Sequence, residues 1–163
     1  MDKKLLEEDL KKVKVQEWVN LGFHHLSKDE LKEAERCYQR ALEIDPNFIR
    51  ALTMLATTYR RGRNYEKALQ MLRRRAELET ESHHPWMSMA NIQFEIATGV
   101  VHNMSSYKSK NLEEAIKLME KAATLMPNSW GIRQYLALYY WIKGDIEKAV
   151  ENRRMMEELK RTN

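Results

Sequence analysis

The 163 residues carry 28 Lys and Arg against 24 Asp and Glu, a formal net charge of +4 that is too small by itself to mark a nucleic-acid or membrane partner. The single cysteine, Cys37, excludes an internal disulfide and a cysteine-based metal site and points to a reducing compartment. No segment approaches the roughly 20 apolar residues that span a bilayer, and the N-terminal charges occupy the place of a signal peptide's apolar core, so a soluble cytoplasmic protein is expected.

Gly and Pro are scarce and apolar residues recur at spacings of three and four, which predicts helices throughout and no strands. In chain order, Leu5, Leu6, Leu10 and Val13 keep helical spacing and are expected to extend the first helix toward the N-terminus and to cover its open end. Ser27 and Glu30 have the spacing of a capping box for a second helix, and Asp45-Pro46-Asn47 ends it, because proline cannot continue the hydrogen-bond ladder. Two further helices follow before His83. Beyond Phe94, the residues Ile96, Ala97, Val100, Val101 and Met104 prolong a helical stripe, and 105–110 reads as loop. Asn111 and Glu114 again fit a capping box, and Met126-Pro127-Asn128 closes the helix they open. The final helix, from Asp145 to near Arg161, is expected to bury Ile146, Ala149, Val150, Met156 and Leu159 and to turn Glu151, Asn152, Arg154, Glu157 and Glu158 outward.

These helices repeat. Trp18, Leu52 and Trp86 lie 34 residues apart, as do Leu21, Leu55 and Met89, and Gly22, Ala56 and Ala90. Ala115 follows Ala34 by 81 residues, two periods plus thirteen, so the third repeat holds an insertion. A period of 34 marks a helical repeat array. Trp18, Leu21, Gly22, His25, Ala34, Tyr38, Ala41 and Pro46 match the pattern slot for slot, and on them the chain resembles the tetratricopeptide repeat (TPR) family. The resemblance implies an all-α, right-handed α-solenoid within one domain. Its repeats would span 15–48, 49–82, 83–129 with an insertion at 95–110, and 130–163, behind an extension over 1–14. Small residues on the first helix of each pair (Gly22, Ala56, Ala90, Ala137) and alanines on the second (Ala34, Ala68, Ala115, Ala149) let the helices approach closely. The pattern lapses at Arg75, Thr80 and Arg133, which stand where the first unit has Ala41, Pro46 and Trp18.

No phosphate loop, HExxH motif or arguable Ser-His-Asp set occurs, so neither catalysis nor a cofactor is expected. The adjacent pairs His24-His25 and His83-His84 point in different directions on a helix and make poor chelators. Cys37, beside Tyr38, reads as a small packed residue, and His25 as one at the core boundary.

Binding remains. In this family the first helices of successive units line a groove for a partner segment, and the resemblance implies that Gln16, Val19, Phe23, Arg50, Thr53, Thr57, Arg60, His84, Met87, Asn91, Gln134, Leu138 and Trp141 line it here. Apolar anchors around two guanidinium groups suit a protein or peptide partner with acidic and apolar groups. The slots that grip a chaperone's C-terminal carboxylate with Lys and Asn in one subgroup hold Val19 and Phe23, which argues against such a clamp. Two alternatives stand beside the adaptor reading. Seven arginines from Arg50 to Arg75 could hold RNA phosphates, although Arg73, Arg74 and Arg75 span most of a helical turn. The last helix could instead serve self-association as a homodimer.

Overall fold

The computed structural model describes residues 3–99 and 110–162, without the side chains of 3–6. Among the described residues every regular element is an α-helix. The chain divides into two compact units, Met1–Glu79 and Thr80–Asn163.

The first unit holds α1 (Lys3–Ser27), α2 (Leu31–Ile44), α3 (Ile49–Arg61) and α4 (Tyr65–Leu78). Consecutive helices pack as hairpins and α1 also touches α3. The buried stripe of α1 is Val15, Val19, Gly22 and Leu26, at spacings of four, three and four. Gly22 faces Tyr38 of α2, and the alanines Ala34, Ala41, Ala56 and Ala68 are almost wholly enclosed. Leu21 departs from expectation and is 43% exposed, whereas Leu55, in the same slot of α3, is buried. The difference is positional, since α3 packs against α1, α2 and α4, while α1 meets only α2 and α3. Leu10 and Val13 are likewise 52% and 55% exposed.

The turns use chemistry that sequence spacing did not reveal. Ser27 ends α1 and donates its hydroxyl to the His24 carbonyl at 2.7 Å instead of capping α2. The expected capping box fails because Glu30 itself occupies the N-cap position and its carboxylate meets His25 Nδ1 at 2.6 Å, with Asp29 at a left-handed φ of 61°. Asn64 caps α4 by accepting from the Lys67 amide at 3.3 Å, and Asp45 Oδ1 accepts from the Asn47 amide at 3.0 Å after α2 ends. Arg61 donates to the Leu26 carbonyl at 2.9 Å and fastens the end of α3 to the end of α1.

The second unit holds α5 (His84–Gly99), α6 (Lys110–Leu125), α7 (Trp130–Lys143) and α8 (Ile146–Thr162). α5 begins with Pro85 in its first turn, where a missing N–H costs no hydrogen bond. Its expected continuation through Val100, Val101 and Met104, and nearly all of the expected loop, lie outside the described residues. Lys110, placed in that loop, begins α6, so Asn111 lies within the helix and not at its cap. Ala90, Leu112, Met119, Ile132 and Tyr139 form the centre of the core, with Phe94 stacked on Tyr139 at 4.5 Å between ring centroids. Ser129 caps α7, and Gly144 ends it in the left-handed region at φ 86°.

α8 is rotated from its expected phase. Ala149, Asn152 and Met156 face inward, whereas Ile146 and Val150 are 49% and 59% exposed. An amide has taken the inward position expected for an aliphatic side chain.

Candidate functional site

Two helix faces carry the residues expected to bind. In the first unit, Arg50, Thr53, Thr57 and Arg60 recur at spacings of three, four and three on one face of α3, and Gln16 and Phe23 share one face of α1. Phe23 is 56% exposed, an apolar ring held in solvent. Arg50 and Arg60 are exposed, and Thr53 and Thr57 half-buried. The threonine hydroxyls donate back to Ile49 and Thr53 carbonyls at 2.8 and 2.9 Å, which leaves their oxygen lone pairs as acceptors. Gln16 bonds Asn20 within its own helix at 2.8 Å.

Val19 does not join them. It is wholly buried, because the inward stripe of α1 runs through Val15 and Val19 rather than through Trp18 and Leu21.

In the second unit, His84, Met87 and Asn91 share one face of α5, and Gln134, Leu138 and Trp141 one face of α7. Trp141 is 63% exposed and Leu138 45%, and Tyr135, which the sequence reading omitted, adds a second exposed ring near them. Its spacing of three from Leu138 was the available signal. Met87 is half-buried against the core. Asn91 accepts a 2.7 Å hydrogen bond from the Tyr139 hydroxyl, so its carboxamide is fixed and offers its NH₂ group. His84 stands 4.1 Å from His83 between ring centroids, and burial, then the neighbouring His84, holds His83 below its ordinary range.

The two faces differ in chemistry. The first is cationic with a single exposed aromatic ring, and the second is aromatic and aliphatic with amide groups.

The arginine-rich stretch is partly engaged within the fold. Arg75 pairs with Glu79 at 2.6 Å in a largely buried position, and Arg61 is fastened to Leu26. Cys37 is buried, and that burial raises its thiol pKa, the reverse of what a nucleophile needs. Among the described residues no group of three or more His, Cys, Asp or Glu side chains is gathered to hold a metal ion, and no helix is long and apolar enough to cross a membrane.

Comparison with known proteins places this geometry. Residues 15–48 match one tetratricopeptide repeat family and residues 37–70 a second. No curated protein matches the chain by sequence. Among solved structures, a crystal structure of MamA is 19% identical over 98% of this chain and 85% of its own, with a TM-score of 0.74. MamA from Desulfovibrio magneticus RS-1 is 18% identical over 91% and 77%, also at 0.74. The first TPR of Spaghetti (RPAP3), bound to the HSP90 peptide SRMEEVD, is 19% identical over 80% and 94%, at 0.65. At these identities the likeness is one of fold.

Proposed function

Residues 15–70 make this chain a tetratricopeptide-repeat protein, and on that premise we propose that it is a protein-interaction adaptor that receives an acidic, partly apolar segment of a partner and performs no catalysis. The carrying observation is the face of α3, where Arg50 and Arg60 flank Thr53 and Thr57 with Phe23 exposed on α1. Guanidinium groups pair bidentately with carboxylates, threonine oxygens accept from a peptide backbone, and an exposed ring takes an aliphatic side chain. The structurally similar TPR of RPAP3 holds the peptide SRMEEVD, in which Met and Val stand among three acidic residues, the same class of ligand. A grip on a chain's terminal carboxylate is not carried over, since Val19 is buried and Phe23 has no donor.

The exposed Tyr135, Leu138 and Trp141 of the second unit suit an apolar stretch of a partner. Capture from cell extract, with and without nuclease, tests the reading when the Arg50→Glu/Arg60→Glu protein is run beside the parent. Partners kept through nuclease and lost from the double variant fit an adaptor. Material lost on nuclease treatment would favour RNA.

A further inference from the structure

Position Arg133 continues the series Trp18, Leu52 and Trp86, and position Asn152 continues the series Cys37, Met71 and Leu118. Both slots are apolar in the first three repeats and polar in the fourth. The two exchanged residues meet: Arg133 Nη1 donates to Asn152 Oδ1 at 3.4 Å, and Asn152 Nδ2 donates to the Lys148 carbonyl at 2.9 Å. Asn152 is only 7% exposed in the middle of α8, where asparagine is a poor helix former and a buried amide costs stability. Departures of this kind from local rules concentrate where a protein has another use for the residue.

That pair stands in a cleft. A cavity of about 470 Å³ lies over α7 between α6 and α8, floored by Ala123, Pro127 and Leu136 and bordered by Arg133, Lys148 and Asn152. A second cavity of about 370 Å³ shares Pro127 and Arg133 with it and continues along α8 past Met155 and Leu159 to Thr162. Arg133 is half-buried at the junction, and among the described residues no carboxylate pairs with it. Arg75, likewise half-buried, is satisfied by Glu79.

We propose that this cleft is a second binding site, separate from the helix faces described above, for a partner peptide that sets one carboxylate on Arg133 and an adjacent aliphatic side chain against Met155 and Leu159. A half-buried guanidinium without a counter-ion gains from a carboxylate, and its forked donors match that group in two-toothed pairing. The lining selects a single negative charge. Glu120 accepts from the Tyr140 hydroxyl and Glu158 from Arg154 Nε at 2.9 Å, and Glu151 stands with them on the wall. Three carboxylates repel a run of phosphates, while Lys148, over the Tyr140 ring at 5.0 Å, offsets one of them. Asn152 acts as a positioning residue that aims the guanidinium.

The experiment follows the side-chain N–H signals of Arg133 and Asn152 by NMR in the full chain during titration with acetyl-Leu-Glu-Leu-amide, acetyl-Leu-Gln-Leu-amide and inorganic phosphate. The Glu peptide should shift both signals saturably, and the Gln peptide should bind roughly tenfold or more weakly, as expected for one lost charge-assisted pair. Arg133→Met should abolish the difference between the two peptides. Asn152→Leu returns the slot to an apolar residue, the one the third repeat has at Leu118; it should weaken the Glu peptide while raising thermal stability, and it reads the site even if Arg133→Met fails to fold. Equal binding of the two peptides, no shift with either, phosphate moving the signals in their place, or unaltered affinity in Asn152→Leu would each overturn the proposal.

Discussion

A Cβ placed on Gly22 would lie 2.6 Å from Tyr38 Cε1 and 2.9 Å from two further ring carbons, so the crossing of α1 and α2 depends on the absence of a side chain at that point. Tyr38 is wholly buried and has no space into which to retreat. Two effects oppose each other in Gly22→Ala. Alanine favours the helix by up to about 1 kcal/mol, whereas forcing a methyl into a filled core costs about 1–3 kcal/mol. The ring contact wins at this distance, and urea denaturation should show a net loss of about 1–2 kcal/mol. A more stable variant would mean that the ring yields.

The Tyr38 hydroxyl is buried and finds no hydrogen-bond partner among the described residues. Removing an unpartnered buried donor removes a desolvation cost without leaving another group unsatisfied. Tyr38→Phe should therefore leave stability within about 1 kcal/mol of the parent, or raise it. Tyr140→Phe differs, because the Tyr140 hydroxyl is bonded to Glu120 and the variant loses that hydrogen bond. That variant should be the less stable of the two in the same denaturation series.

Alkaline pH should unfold the protein through these rings. Burial pushes Tyr38 up to about 12 from an ordinary 10, and burial, then a hydrogen bond to a glutamate, raises Tyr59 and Tyr140 as well. A group whose pKa is raised by folding binds its proton more tightly in the native state. Its contribution is whole below pH 10 and is lost as pH climbs through the folded value. Ultraviolet titration should show these tyrosines ionising together with the loss of helical signal, and Tyr38→Phe should move that loss to higher pH.

Glu30 reports the turn between α1 and α2. The hydrogen bond from His25 holds its carboxyl below its ordinary value of 4.5, and NMR titration of His25→Ala should return it toward that value. Because the folded pKa is depressed, the stabilising contribution is present above 4.5 and fades as acid takes the pH down through the folded value. A Glu30 titration unchanged in the variant would show that the 2.6 Å contact does not persist in solution.

The residues that sterics dictate were readable from sequence. Gly22, Ala34 and Tyr38 hold a backbone crossing that tolerates little else, and Pro46 and Pro127 end α2 and α6 because a missing N–H leaves no choice. The phase of a helix was harder to read. On α1, Val15, Trp18, Val19, Leu21, Phe23 and Leu26 spread apolar groups around much of the cylinder, and one residue of error turns a side chain by about 100°. Val19 was consequently placed on the binding face and Leu21 in the core, whereas Val19 is buried and Leu21 exposed. On α8 the same ambiguity hid Asn152, because an amide among charged neighbours looks like surface until Arg133 is seen beside it.

Val19 and Phe23 together separate folding from binding on α1. Val19 is enclosed, so Val19→Ala should cost about 2 kcal/mol of stability from lost burial and the cavity left behind, with intact partner affinity once the folded fraction is accounted for. Phe23 is more than half exposed, so Phe23→Ala should leave stability within about 0.5 kcal/mol and act on affinity alone. Arg50→Glu/Arg60→Glu should weaken an acidic partner by a few kcal/mol, about the loss of two charge-assisted contacts plus new repulsion. Calorimetric titration of these variants beside thermal denaturation checks all three. An affinity that follows Val19 and ignores Phe23 and the arginines would place the partner on some other surface, because a wholly buried side chain cannot touch a ligand that its exposed neighbours do not.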